Sequence, residues 1–95
     1  MVAAIVQQNR RLIREVLERH GARHVRVFGS AARDECGPAS DLDLLVAMDP
    51  DRSLLDRIAA AQALAEMLGL PVDLVNERAL PAPIRRRVLA EAVDL

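Results

Sequence analysis

The first residues that could carry chemistry are two aspartates, Asp41 and Asp43, separated by a single leucine. On a β-strand, side chains two residues apart project from the same face at a spacing of roughly 6–7 Å. Two carboxylates about 6 Å apart repel by roughly 3 kcal/mol at an effective dielectric constant of 20, and a bound cation removes that repulsion. Mg²⁺ suits such a pair because it takes oxygen ligands and shares its coordination shell with substrate phosphates. A solvated polar strand face is the alternative, and it stays open for these two residues taken alone.

A second set of residues, Gly29, Ser30 and Arg33, has the features of a phosphate-binding turn. A glycine between a strand and a short helix lets backbone N–H groups approach a phosphate, and Ser30 can donate to the phosphate oxygens there. Arg33 follows one helical turn later, so its guanidinium can reach the same place. A serine helix cap followed by a surface arginine is the alternative for this set alone. The two sets together are more informative than either set alone, because both occur in order within residues 25–48.

These residues need strands to hold them and helices to cover the strands. Apolar residues at intervals of three and four predict a first helix that Gly21 ends, and alternation predicts strands. The predicted elements are a helix from Val2 to the residues before Gly21, strands over 24–28, 42–46 and 70–75, a short helical piece over 31–33, a loop over 34–40, and helices over 49–68 and 83–93. The order α-β-α-β-α-β-α predicts an α/β (α+β) fold in which helices pack on a small sheet with partly parallel strands.

The long helix after the second strand is predicted to begin at Asp49, as N-cap, with Pro50 in the first helical position. Gly69 is placed to end it. Its apolar residues predict one buried side, made of Leu54, Leu55, Ile58, Ala61, Leu64, Ala65 and Leu68.

The amino-acid composition argues against several classes of function. The chain has 95 residues, which predicts a single domain over 1–95, and a net charge of -1, which argues against a surface for DNA or RNA. Its one aromatic residue, Phe28, offers no platform for stacking bases. The chain has no Lys, which excludes Schiff-base chemistry, and its single Cys suits a reducing compartment. Because no apolar run approaches the roughly 20 residues that span a bilayer, we expect a cytoplasmic protein that does not enter membranes.

The sequence resembles the nucleotidyltransferases of the DNA polymerase β superfamily, and more narrowly the minimal nucleotidyltransferases (MNT proteins), which are antitoxin partners of HEPN toxins. The resemblance lies in Gly-Ser-Ala-Ala-Arg at 29–33, Ser-Asp-Leu-Asp-Leu-Leu at 40–45 and Pro-Val-Asp-Leu-Val at 71–75. It extends over nearly the whole chain and implies a palm-like fold of mixed strands packed with helices. Many relatives have Gly after the arginine, where this chain has Asp34, and that added negative charge could weaken nucleotide binding.

The resemblance also implies roles for individual residues. Asp41 and Asp43 would coordinate metal, with two Mg²⁺ ions expected, and Asp73 on a neighbouring strand would be the third carboxylate, which also helps to activate the attacking hydroxyl. Gly29 and Ser30 would hold the triphosphate of ATP, with Arg33 and Ser40 beside it. From the residues alone, Asp73 is only a lone acid between Val72 and Leu74.

The reaction that the resemblance implies is transfer of AMP from ATP to a tyrosine hydroxyl of a partner HEPN toxin, which makes the chain the antitoxin of a type VII toxin–antitoxin pair. The chain has no Tyr, so it cannot modify a tyrosine of its own. One alternative is a catalytically weak or inactive antitoxin that neutralises its toxin by binding and occlusion. Another is a small-molecule modifier, although such enzymes generally carry an additional domain for the acceptor.

Overall fold

The computed structural model describes residues 2–29 and 41–95, and its centre is a four-stranded sheet with the strand order β3-β2-β1-β4. The strands are β1 (Ala22–Phe28), β2 (Leu42–Met48), β3 (Val72–Asn76) and β4 (Val93–Asp94). β1 runs antiparallel to both β2 and β4, whereas β2 and β3 are parallel. The predicted small mixed sheet is therefore confirmed.

Four helices accompany the sheet in the described residues: α1 (Val2–Gln8), α2 (Arg10–Arg19), α3 (Leu54–Leu68) and α4 (Ala82–Glu91). A short 3₁₀ turn, Glu77–Ala79, follows β3. None of the helices in these residues combines the length and apolar content needed to cross a bilayer. The predicted helical piece at 31–33 and the loop at 34–40 lie outside the described residues.

The core lies on the face of the sheet that α2 and α3 cover. Leu42, Leu44 and Val46 of β2 are fully buried there, together with Ile13 and Leu17 of α2 and Ala60 and Leu64 of α3. Burying each large side chain stabilises the fold by roughly 1.5–3 kcal/mol. Because side chains alternate along a strand, the burial of these residues turns Asp41 and Asp43 to the opposite face.

The N-terminal helix differs from the prediction, because it is two helices separated at Asn9. The Asn9 side-chain amide donates to the Ile5 carbonyl at 2.8 Å, and the Asn9 backbone N–H donates to the same carbonyl at 3.1 Å. Such local side-chain bonds compete with the regular helical pattern. Gly21, at a φ of 78°, supplies the left-handed turn into β1 close to where the prediction placed the helix end.

The prediction that α3 begins at Asp49-Pro50 is wrong. Asp49 and Pro50 form a turn, closed by the Arg52 N–H donating to the Asp49 carbonyl at 3.0 Å, and Ser53 is the N-cap. The Asp56 carboxylate accepts from the Ser53 backbone N–H at 2.8 Å and from its hydroxyl at 3.2 Å, which fixes the helix start.

The predicted buried side of α3 is only partly correct. Leu64 is fully buried, and Gly69 ends the helix in the left-handed conformation as expected. Leu54, Leu55 and Ile58 are exposed, because the first turns of the helix extend beyond the end of the core. An apolar surface therefore remains at the N-terminal half of α3.

The last helix ends at Glu91, before the predicted end at Val93, and β4 was not predicted at all. Val93 and Asp94 pair with Val27 and Arg26 of β1. A strand of two residues is too short for alternation to show, and a helical pattern that continues into it hides it.

Candidate active site

The structure places Asp43 and Asp73 directly opposite each other on the parallel strands β2 and β3. On the other side of β2, Asp43 is opposite Phe28, the last residue of β1. Neighbouring strands lie about 4.8 Å apart, so the two carboxylates share one row across the sheet. The sequence pattern alone could not show that Asp73 lies opposite Asp43, because the two residues are distant in the chain.

Asp41 completes a group of three carboxylates around Asp43. The pKa of Asp43 is raised above 3.8, first because the side chain is partly buried, then because of the negative charge of Asp73, and then because of that of Asp41. Asp41 and Asp73 are themselves exposed, whereas Asp43 is half-buried between them. The three carboxylates thus lie within electrostatic reach of one another and concentrate negative charge on this face.

Gly29 brings backbone directly against this group. It follows β1 with a φ of 70°, a left-handed conformation that favours glycine. A Cβ atom at this position would collide with Oδ2 of Asp43. The left-handed turn therefore favours glycine here, and a side chain at this position would displace the Asp43 carboxylate. The sequence signal that singled out Gly29 has a physical basis.

The remaining predicted nucleotide-binding residues, Ser30, Arg33 and Ser40, lie outside the described residues, as does Asp34. Of the predicted site, the structure brings together Gly29, Asp41, Asp43 and Asp73.

The donor set fits Mg²⁺ held jointly with a phosphate ligand. Within residues 2–29 and 41–95, no three His, Cys, Asp or Glu side chains are arranged to hold a metal ion by themselves. Mg²⁺ is commonly bound by one or two carboxylates, with substrate phosphates and water completing its shell. Burial is the main reason that the pKa of Asp43 is raised, and the charges of Asp73 and Asp41 add to it; a bound cation relieves that repulsion.

Sequence reasoning missed an ion pair on the same face. Arg26 of β1 is opposite Leu45 of β2, which is two residues along β2 from Asp43 and so on the same face. The Nη1 atom of Arg26 lies 2.8 Å from Oε2 of Glu77. Their side chains are only 14% and 19% exposed. The orientation of Arg26 could have been predicted from the sequence, because Arg26 alternates with Val25 and Val27 and must face away from the core. Its partner follows β3 in sequence, and only the tertiary fold brings the two together.

Several known proteins resemble this chain in sequence and in fold. A profile of the nucleotidyltransferase domain family matches residues 9–95. The protein adenylyltransferase MntA of Thermococcus cleftensis is 42% identical over 80 residues, covering 84% of this chain and 81% of that protein. A solved structure, provisionally described as a minimal nucleotidyltransferase, is 45% identical with a TM-score of 0.89, covering 98% of this chain and 95% of that one. A mutant toxin–antitoxin complex, MntA–HpeT, contains a chain 26% identical with a TM-score of 0.73, covering 92% of this chain and 70% of that one.

Proposed function

The chain belongs to the nucleotidyltransferase domain family, and we propose that it transfers AMP from ATP to a hydroxyl group of a partner protein. The observation that carries the proposal is the pairing of Asp43 with Asp73, with Asp41 beside them and the Gly29 backbone against Asp43. Clustered like charges weaken a fold unless they have a ligand. We further propose that residues 1–95 act as one nucleotidyltransferase domain.

The partner in this proposal is an HEPN toxin, and the acceptor is a tyrosine hydroxyl. Support for a toxin partner comes from two relatives that resemble this chain over most of its length: the protein adenylyltransferase MntA and a chain of the MntA–HpeT toxin–antitoxin complex. The HEPN class and the tyrosine rest on the family resemblance of the sequence motifs. The chain itself has no Tyr, so a tyrosine acceptor must come from another protein.

The residues divide the work as follows. The Gly29 backbone and Ser30 bind the triphosphate, with Arg33 and Ser40 beside it. Asp41, Asp43 and Asp73 would hold Mg²⁺, which when bound neutralises negative charge on the triphosphate and on the leaving pyrophosphate. Holding the acceptor hydroxyl in line with the scissile bond supplies much of the rate enhancement.

In the chemical step, the acceptor oxygen forms a bond to the α-phosphorus of ATP. The bond from that phosphorus to its bridging oxygen breaks, and pyrophosphate leaves with the electron pair. Asp73, which is exposed on the edge strand β3, accepts the hydroxyl proton and releases it to solvent. The products are a tyrosine bearing AMP and pyrophosphate, and no residue of this chain is changed.

Intact mass spectrometry of the toxin tests the proposal. The toxin is incubated with this protein, ATP and Mg²⁺, and the expected result is a mass gain of one or more AMP units. The gain should be absent with EDTA and with the Asp41→Ala/Asp43→Ala double variant, and present with Asp51→Ala, which removes an exposed carboxylate elsewhere. A toxin that is bound and inactive but unchanged in mass would contradict transfer and favour neutralisation by occlusion.

A further inference from the structure

A groove runs along the outer side of β3, between that strand and α3. It is an open depression of about 250 Å³, to which α3 contributes Ile58, Ala61 and Ala65, and β3 contributes Val72 and Asp73. We call it the β3-edge groove. It is largely apolar. Asp73 borders it through its position on β3, and the Asp73 carboxylate lies with Asp43 on the other face of the sheet.

The strand that borders the groove has a free edge in the described part of the chain, because β3 is the end strand of the sheet. The Pro71 carbonyl accepts from the Leu42 N–H at 2.9 Å, so the backbone of residue 71 faces β2. Backbone groups alternate in direction along a strand, so those of Val72 and Leu74 face away from β2. The Leu74 carbonyl accordingly accepts from Arg57 of α3. An added extended chain could therefore pair with the Val72 backbone groups and the Leu74 N–H on this outer edge, whereas the Leu74 carbonyl already accepts from Arg57.

Arg57 also gives the groove a positive charge. Its guanidinium donates a hydrogen bond to the Leu74 carbonyl, and because that carbonyl is neutral, the bond does not cancel the positive charge. Arg57 lines both the β3-edge groove and a second cavity of about 320 Å³, which continues past Ser53 and Asn76 towards the end of β3. A chain lying along β3 would thus meet apolar side chains first and a cationic group beyond them.

The position of the groove relative to Gly29 decides what could occupy it. Gly29 contacts Asp43 from the β1 side, whereas Asp73 adjoins Asp43 from the β3 side. In an in-line displacement, the attacking oxygen and the leaving group lie on opposite sides of the phosphorus. If the Gly29 turn holds the leaving phosphates, the attacking hydroxyl arrives from the β3 side. A chain along the outer edge of β3 would direct alternate side chains to the Asp73 face and into the groove on the α3 face.

We propose that the β3-edge groove binds the acceptor segment of the protein substrate as an extended chain that adds to the outer edge of β3. The hydroxyl-bearing residue lies over Asp73, an apolar side chain packs against Ile58 and Ala61, and an acidic side chain points towards Arg57. Backbone pairing gives affinity in this mode of recognition, and the side-chain pockets give specificity. This inference rests on the proposed function and adds to it the path of the substrate.

The first test compares two single variants of α3 that differ only in their relation to the groove. Ile58 lines the groove and is 42% exposed, whereas Met67 is 37% exposed on the same helix and lines no part of it. With the HEPN toxin as acceptor, Ile58→Asp should raise the KM for toxin by about tenfold or more, as expected for removal of a central apolar contact. Met67→Asp should leave that KM within about twofold of the wild-type value, which is the range for a residue outside the contact.

Two further readouts separate a local effect from a folding effect. The affinity for Mg²⁺ with the non-hydrolysable analogue AMP-PNP, and the melting temperature, should be alike in the two variants. A photo-crosslinking amino acid placed at 58 should capture the toxin peptide that carries the AMP-modified residue, and the same group placed at 67 should not.

The outcomes distinguish the two proposals. If wild-type protein transfers no AMP to the toxin, the proposed function fails, and the inference fails with it. If transfer proceeds but Ile58→Asp and Met67→Asp have the same KM for toxin, or the crosslink from 58 maps away from the modified residue, the groove assignment is overturned while the proposed function stands.

Discussion

Replacing Asp43 with asparagine should stabilise the protein in the absence of ligands while abolishing its activity. Asp43 lies opposite Asp73 on the neighbouring strand. Its pKa is raised by burial first, and then by the negative charges of Asp73 and Asp41. Two carboxylates about 6 Å apart repel by roughly 3 kcal/mol at an effective dielectric constant of 20. Because Asp41 and Asp73 are exposed, solvent and salt screen much of this, and a net gain of about 1 kcal/mol is expected. For a domain of this size that corresponds to a rise in melting temperature of roughly 4–8 °C.

Thermal unfolding with and without Mg²⁺ and AMP-PNP measures both halves of this prediction. Without ligands, Asp43→Asn should melt above the wild type at low ionic strength, and the difference should shrink as salt screens the charges. With the ligands, the wild type should gain stability because they bind only the folded state, and the variant should gain little. Asp51→Asn, which removes an exposed charge elsewhere, controls for the change in net charge.

Two results would refute this reasoning. A melting temperature for ligand-free Asp43→Asn at or below that of Asp51→Asn would mean that the carboxylates do not repel one another appreciably. An equal gain from Mg²⁺ and AMP-PNP in wild type and variant would mean that Asp43 does not help to hold the metal and nucleotide.

Four other substitutions test separate parts of the account. Gly29→Ala and Gly69→Ala each place a side chain at a left-handed φ, which costs about 1–2 kcal/mol of folding free energy. Only at Gly29 does the new Cβ meet a site residue, Asp43. Titration with AMP-PNP should therefore show lost binding for Gly29→Ala and normal binding for Gly69→Ala. Asp56→Ala should lower the melting temperature at neutral pH. The pKa of Asp56 is lowered below 3.8, chiefly by the Ser53 backbone hydrogen bond. The stabilisation that this carboxylate gives the folded protein is therefore present above pH 3.8 and is lost as the pH falls through the lower pKa of the folded state. Melting temperatures measured across that pH range should show the variant and the wild type converging. Leu64→Ala empties a fully buried position in α3 and should reduce the free energy of unfolding in urea by about 2–5 kcal/mol.

The first three strands and the placement of Asp41 and Asp43 were predictable because both follow from local alternation. Leu42 and Leu44 are apolar and Asp43 is not, so a strand with one covered face leaves only one orientation for each side chain. The Gly29 turn was predictable for a similar reason, because a glycine at the end of a strand usually marks a conformation that other residues avoid.

Other features depend on contacts between distant parts of the chain, and the sequence carries no local sign of them. Asp73 becomes part of the site only through the parallel register of β3 with β2. β4 exists because β1 offers an edge to two residues that otherwise continue a helical pattern. Ile58 fits an apolar helical stripe as well as any core residue, and its exposure follows from where the core ends.

The measurement that tests the central claim most directly follows two radioactive labels of ATP during incubation of the toxin with this protein and Mg²⁺. The account predicts that label in the α-phosphate becomes covalently attached to the toxin, while label in the γ-phosphate is released as pyrophosphate, and that Asp43→Asn eliminates both. Attachment of the γ-label would show phosphoryl rather than nucleotidyl transfer. Attachment of neither label to a toxin that the wild-type protein nonetheless binds and silences would contradict catalysis by these three carboxylates.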